Sequence, residues 1–326
     1  MVDNKPNSVL NGFGRFGSRF LNYYLKHYKN RRFELQQIND ENLSVEKMQD
    51  LFLKDNNLDY KKNWLVIVRN DVLKFIGKLG EIDILFSNLP VQSLPQDYQF
   101  FLECSGKYTD INKFPKNFNY KKVFISATSY NSDQTLIYGY NEKDYKQSSK
   151  YLSYGSCTVN AFVPLANALN DWKILESDVS VIHSVPEYIL EKNKSILKIR
   201  NCTLTTMAPK LLQFLNIDNF LVNYTLAPFL GPSIINFRFK LQEKWELQEI
   251  FDAILQIKSK DNKNLYNVCM EDRGHHSAIL SEYSAEIIIN NSRKVGKNLY
   301  LGAYFDNENS VNRYFDLINY ISEVKK

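Results

Sequence analysis

The sequence predicts an α/β protein in two parts: a parallel sheet flanked by helices, then an α+β unit with a mixed or antiparallel sheet. Three observations carry this expectation. Up to residue 156, short continuous apolar runs alternate with helical or loop segments, as strands buried on both faces do. From residue 157 the texture changes, and one apolar helix is followed by long strand-like segments. The 326 residues also leave room for about two domains at ~150 residues each.

Taken in order, residues 8–10 read as a first strand, and residues 11–17 pack Gly12, Gly14 and Gly17 into a turn. Phe20, Leu21, Tyr24, Leu25 and Tyr28 then recur at helical spacing. Residues 33–38 read as a second strand ending at Asn39-Asp40, and residues 43–53 as a short helix. Residues 65–68 and 72–76 flank a polar turn and predict a hairpin. Residues 83–86, 100–103 and 123–126 read as buried strands, and residues 136–139 are compatible with another. A helix is predicted from Cys157 to about Trp172, with Phe162, Leu165, Ala166 and Leu169 on one face. Strands at 179–183, 220–226, 233–241, 286–289 and 298–305 suit a mostly antiparallel sheet with helices on one side. A final amphipathic helix spans Ser310 to about Glu323.

Composition narrows the partners. A net charge of +5, from 41 Lys+Arg against 36 Asp+Glu, is thinly spread with no basic run, so nucleic acid is not expected. No apolar run approaches the ~18–20 residues of a membrane span. The first 14 residues lack a basic region followed by an apolar one, so no secretory signal is expected. The 4 cysteines form neither a disulfide framework nor a metal spacing, so a reducing, cytoplasmic setting without a metal is expected.

Gly12-x-Gly14-x-x-Gly17 follows a strand and opens a helix, the context in which glycines allow a tight turn and close approach of a pyrophosphate. Asp40 ends the second strand, where a carboxylate accepts ribose hydroxyls and repels a 2′-phosphate, so the cofactor expected is NAD. Cys157 follows a Gly-Ser turn and opens a helix, whose positive end favours a thiolate. A thiolate nucleophile wants a base beside it, and His183 ends a predicted strand next to a loop. Cys104, Cys202 and Cys269 have no such setting. His275-His276 reads as a surface loop and His27 as solvated.

Together these residues resemble the glyceraldehyde-3-phosphate dehydrogenase family over nearly the full length. The resemblance rests on residues 11–17, Ile38-Asn39-Asp40, Glu103-Cys104-Ser105-Gly106, Ile125-Ser126-Ala127, Gly139-x-Asn141, Ser156-Cys157-Thr158-x-Asn160, Val181-x-His183, Asp306-Asn307-Glu308 and Asn312-Arg313. It implies a Rossmann NAD-binding domain over 1–156, a catalytic domain over 157–309, and a last helix, 310–326, that completes the first domain. It implies that Cys157 attacks an aldehyde and His183 takes the proton. Arg15, Phe16 and Asp40 would bind the adenosine–pyrophosphate half, while Asn307 holds the nicotinamide carboxamide and Ser126 lies near the ring. Ser156, Thr158 and Thr206 keep the hydroxyls expected around inorganic phosphate. A homotetramer or homodimer is implied.

The sequence also departs from the family pattern. Pro186, in Ser184-Val185-Pro186-Glu187, stands where a threonine is expected, and counting back from Ser233 puts Leu226 where an arginine is expected. Met207 replaces a usual glycine, and the stretch between His183 and Lys210 is short. The expected function is therefore NAD-dependent aldehyde oxidation through a cysteine thioester, with the acyl group passing to phosphate or water and with an altered substrate. Alternatives are the glycolytic reaction itself, with the substrate's phosphate gripped by Lys192, Lys194, Lys198 or Arg200, a non-catalytic NAD-binding protein, and a semialdehyde dehydrogenase.

Overall fold

The computed structural model describes residues 5–184, 197–258, 263–305 and 310–324. The chain forms two compact units. Unit 1 comprises Met1–Leu136, Asn141–Gly155 and Val311–Lys326, and unit 2 comprises Ile137–Tyr140 and Ser156–Ser310.

Unit 1 is built on nine strands: β1 (Asn7–Asn11), β2 (Glu34–Asn39), β3 (Trp64–Arg69), β4 (Val72–Gly77), β5 (Gly80–Ser87), β6 (Phe100–Glu103), β7 (Lys122–Ile125), β8 (Gln134–Thr135) and β9 (Tyr151–Ser153). Their order is β3-β4-β5-β2-β1-β6-β7-β9-β8. The strands from β5 to β8 in that order run parallel, and β3 and β4 add an antiparallel edge. From β1 the chain steps to β2 and β5 on one side and then to β6 on the other, so the order reverses between β1 and β6. This is the Rossmann arrangement, in which ligands bind beyond the carboxyl ends of the strands at the reversal.

Helix α1 (Arg15–Lys26) turns Phe20, Leu21, Tyr24 and Leu25 inward, and α2 (Val45–Lys54) is capped by Ser44, whose hydroxyl accepts from the Lys47 amide. The last helix, α6 (Ser310–Glu323), feeds Phe315 into an aromatic cluster with Phe20, Tyr23, Tyr24 and Phe33. Its Tyr314 hydroxyl donates to the Phe124 carbonyl at 2.8 Å. His27 is half-buried at the end of α1, with its ring 4.2 Å from that of Tyr23, which corrects the expectation of a solvated side chain. Residues 136–139 are not a strand. They turn at Gly139, whose φ is +88°, and Ile137 joins the core of unit 2. The strand nearby is the two-residue β8, too short to show a period.

Unit 2 carries β10 (Ile174–Ser184), β11 (Lys198–Ile199), β12 (Phe220–Ala227), β13 (Ser233–Leu241), β14 (Tyr266–Cys269), β15 (Ala285–Val295) and β16 (Asn298–Phe305). The order is β11-β12-β10-β13-β16-β15-β14. It is a mixed sheet: β10 with β12 and β14 with β15 are parallel, and the other pairs are antiparallel. Helices α3 (Cys157–Leu169), α4 (Leu204–Leu211) and α5 (Leu247–Gln256) cover one face. There Phe162 stacks among Phe220, Phe237 and Phe239. On the opposite face Leu175, Ile182 and Leu221 are exposed.

Pro164 lies inside α3 and removes one backbone donor. The Tyr266 hydroxyl enters the gap: it accepts from the Leu165 amide at 3.1 Å and donates to the Ala161 carbonyl at 2.9 Å. This ties the middle of α3 to β14. Tyr266→Phe removes the hydroxyl's bonds to both backbone groups, at about 0.5–1.5 kcal/mol each. The expected result is a clear drop in the urea midpoint with unchanged m, since the ring itself stays.

Candidate active site

In unit 1, β1 leads into the glycine turn and then α1. Gly12 has φ +99°, and a Cβ there would lie 2.3 Å from the Ser105 amide nitrogen, so no other residue fits. A Cβ on Gly17 would lie 2.2 Å from the Gly12 carbonyl oxygen, so the missing side chain lets α1 approach the turn. Gly14 caps α1 without any side-chain acceptor and opens onto free space. The first amides of α1 therefore face outward as donors at the positive helix end.

Asp40 ends up against this turn. Its Oδ2 accepts from the Phe13 amide at 2.7 Å and its Oδ1 from the Asn42 amide at 2.9 Å. Arg15 is half-buried in the first turn of α1. The Phe16 ring packs between Tyr154 and Tyr314, with centroids 6.0 and 5.7 Å away. Ser126 follows β7, and its amide donates to the Glu103 carbonyl at 2.9 Å. Asn307 lies outside the described residues.

Sequence reasoning quoted Glu103 only as part of a motif and missed its role here. The side chain is 1% exposed at the end of β6. Its Oε2 accepts from Asn11 Nδ2 at 2.8 Å, and its Oε1 accepts from the Ser105 amide at 2.8 Å and from the Ser105 hydroxyl. Asn11 in turn accepts from Asn39 Nδ2 at 3.0 Å. Burial pushes the Glu103 carboxyl up to about 7, against the pull of these donors.

In unit 2, Ser156 caps α3 and makes Cys157 its first residue. Cys157 Sγ lies 3.6 Å from His183 Nε2. His183 Nδ1 lies 2.7 Å from the Ser184 carbonyl oxygen. A carbonyl only accepts, so Nδ1 carries the proton and Nε2 turns its lone pair toward the thiol. The Tyr224 and Phe305 rings flank the imidazole, with centroids 5.3 and 6.0 Å away. Burial pushes up the thiols of Cys104, Cys202 and Cys269, with Glu103 adding to the first and Glu286 to the last.

A hydroxyl cluster stands at the start of α3. Ser156 Oγ lies 3.2 Å from Thr158 Oγ1 and 3.1 Å from Thr203 Oγ1. Thr206, expected in this cluster, instead donates its hydroxyl to the Thr203 carbonyl from an exposed position on α4. Thr203 was missed because nothing in its local sequence distinguishes it from Thr205 or Thr206. Leu226 is the cross-strand neighbour of His183 in β10–β12. Pro186, Glu187, Lys192 and Lys194 lie outside the described residues. The His275 and His276 rings lie 4.1 Å apart, and among the described residues no three His, Cys, Asp or Glu side chains gather as a metal site.

No family model matches the chain. Individual proteins do. A cytosolic glyceraldehyde-3-phosphate dehydrogenase of Sinapis alba is 31% identical over 193 residues, which is 57% of this chain and 55% of the relative. A cytosolic enzyme of the same name from Arabidopsis thaliana is 30% identical over 199 residues, and one from Schistosoma mansoni 31% over 183. Over somewhat more than half its length, the chain is similar to glyceraldehyde-3-phosphate dehydrogenases at about 30% identity. Its matched part spans about half the length of these relatives.

Two measurements follow. Mass mapping after brief iodoacetamide treatment near neutral pH should find Cys157 modified ahead of the other three thiols, and His183→Asn should slow that reaction. For Glu103, the native carboxyl keeps its proton up to about pH 7, whereas an unfolded one releases it near the ordinary 4.5. This group's contribution to stability is thus complete below pH 4.5 and declines by about 3 kcal/mol as the pH rises through 7. Urea unfolding at pH 5 and 8 should show a decline that Glu103→Gln lacks.

Proposed function

We propose that the protein is an NAD-dependent aldehyde oxidoreductase that works through a thiohemiacetal and a thioester on Cys157. The observation that carries this reading is the Cys157 Sγ–His183 Nε2 contact of 3.6 Å at the start of α3, with the imidazole tautomer fixed by Ser184. In support of the cofactor, the residues of unit 1 fit a dinucleotide. Gly12 excludes a Cβ, Gly14 leaves the α1 amides open to a pyrophosphate, and Asp40 follows β2 beside them. The relatives' names support a dehydrogenase. Bound NAD supplies the hydride acceptor.

The chain's own residues account for the rest. His183 Nε2 draws the proton from Cys157, and the sulfur adds to the aldehyde carbon. The new oxyanion is stabilised by the Cys157 amide at the start of the helix and by the imidazolium. The imidazolium gives its proton to the oxyanion, and neutral His183 takes that hydroxyl proton back as the carbon loses its hydride, leaving a thioester. The acyl group passes to phosphate or to water. The hydroxyls of Ser156, Thr158 and Thr203 favour phosphate, since they supply neutral donors at the helix end. Ser126 and Asn307 are the expected nicotinamide contacts, and a cytoplasmic homotetramer or homodimer is the expected assembly.

The substrate is the point of divergence. Leu226 beside His183 supplies no charge to an anionic substrate. With the guanidinium and one hydroxyl missing, at about 1.5–3 kcal/mol each, glyceraldehyde 3-phosphate should lose on the order of hundredfold to ten-thousandfold in kcat/KM unless other groups compensate.

The test is calorimetry with NAD and NADP, then a panel of aldehydes with and without phosphate. NAD should bind more tightly than NADP, and Asp40→Ala should narrow the gap. His183→Asn should cut turnover by about 10²–10⁴-fold, and Cys157→Ser should abolish it with NAD binding retained. Equal binding of the two cofactors, or undiminished turnover in Cys157→Ser, overturns the reading.

A further inference from the structure

The register around His183 puts two cations on the strand beyond Leu226. In the parallel pair β10–β12, His183 stands beside Leu226 and Val181 beside Tyr224. On the other side of β12, β11 sets Lys198 opposite Leu226. The Arg200 amide donates to the Tyr224 carbonyl at 3.1 Å, which sets Arg200 opposite Tyr224. Residues paired across neighbouring strands project from the same face. Lys198, Leu226 and His183 therefore form one row across three strands, and Arg200, Tyr224 and Val181 form the next.

The face they share is the one covered by α3. Val181 is buried there, and so is Cys202, two residues beyond Arg200, whose thiol lies 3.5 Å from Thr158 Oγ1. Ile199, between the two cations, is 86% exposed. The Tyr224 hydroxyl is pushed up first by burial, then further by Cys157 and Cys202, while Arg200 pulls it down. Lys198 and Arg200 are both exposed, and among the described residues neither has an ion-pair partner. Strands are spaced ~4.8 Å apart, so β11 lies about 10 Å from β10. That distance suits a short carbon chain between a reacting carbon and an anionic group.

We propose that Lys198 and Arg200 determine substrate specificity by binding an anionic group, phosphate or carboxylate, of an aldehyde whose carbonyl carbon reaches Cys157. This rests on the reading of Cys157 as the nucleophile. The cationic anchor stands one strand farther from His183 than a cation at Leu226 would, and Leu226 itself provides an apolar rest for the substrate's carbon chain. Arg200 gives the planar fork that oxyanions accept, and Lys198 adds a mobile point charge.

The first experiment needs no turnover. Iodoacetamide labelling of Cys157 is timed with glycerol 3-phosphate, glycerate or glycerol present. The expected result is protection by one or both anions and none by glycerol. The anion that protects at lower concentration identifies the group. Lys198→Ala/Arg200→Gln should raise the protecting concentration at least tenfold, and Lys198→Arg/Arg200→Lys should restore it to within a few fold. Steady-state kinetics with an anionic and a neutral aldehyde form the second arm. The double variant should raise KM for the anionic aldehyde about tenfold or more, with kcat and the neutral aldehyde little changed. Equal protection in the native protein and the double variant, or a KM change shared by both aldehydes, overturns the proposal. Cation-dependent protection in a protein that oxidises no aldehyde supports the anion site and defeats the aldehyde reading. Turnover of both aldehydes with the variant indifferent to charge does the reverse.

Discussion

The hydrogen bond between His183 Nδ1 and the carbonyl of Ser184 is the contact on which the thiol site depends. It decides which ring nitrogen meets Cys157, and it holds only if the Ser184 peptide is itself held. The Ser184 amide donates to Ser233 Oγ at 3.0 Å, and both serines are fully buried at the paired ends of β10 and β13. The chain of support runs from a buried hydroxyl to a backbone peptide, to an imidazole and to a sulfur. Sheet pairing supplies the rigidity, since β10 is bonded to β12 on one side and to β13 on the other. A side chain at the end of a doubly paired strand is more accurately aimed than one on a loop.

Unit 1 solves a different problem with similar means. Its turn is held on one side by the Phe13 ring against Phe52 and Phe86 and on the other by polar contacts: the Asp40 side chain accepts from the Phe13 amide, and the Glu103 carboxyl holds the neighbouring segment at Ser105. Both acids lie at the carboxyl ends of the strands that flank β1, Asp40 just after β2 and Glu103 at the end of β6, and the strand order reverses between β1 and β6. The polar contacts at Glu103, Asn11 and Asn39 are buried together, so each must be satisfied by another.

The sequence made the local chemistry legible and the long-range chemistry only in part. Gly12, Gly14 and Gly17 were readable because a turn's constraints act within six residues. Strands β1, β6 and β7 were readable because burial on both faces leaves a continuous apolar run. Cys157 and His183 were singled out as neighbours in chemistry, but their contact, between residues 26 positions apart, is a product of the start of α3 meeting the end of β10. Helix α5 was passed over although its capping box, Glu246 with Glu249, and its buried Ile250, Phe251 and Ile254 carry a helical signature. Thr203 and Glu103 could not be read in advance. A hydroxyl gains its partners from another element, and a carboxyl gains its proton from burial that no local pattern displays. The row from His183 to Lys198 is likewise a property of register alone.

The order in which the chain visits its two units sets the order in which they can be completed during synthesis. Unit 2 is inserted in unit 1: the chain leaves unit 1 at Ser156 and returns at Val311. The aromatic cluster of α1 and β2 needs Phe315, and the Phe124 carbonyl needs the Tyr314 hydroxyl. A ribosome making this chain at ~5–20 residues per second finishes all of unit 2 before it delivers the helix that closes unit 1. The first unit begun is thus the last to close, and until Phe315 arrives the rings of Phe20 and Phe33 lack that neighbour. A chain cut anywhere within unit 2 lacks not only the thiol site but the plug for the nucleotide-type fold at its start.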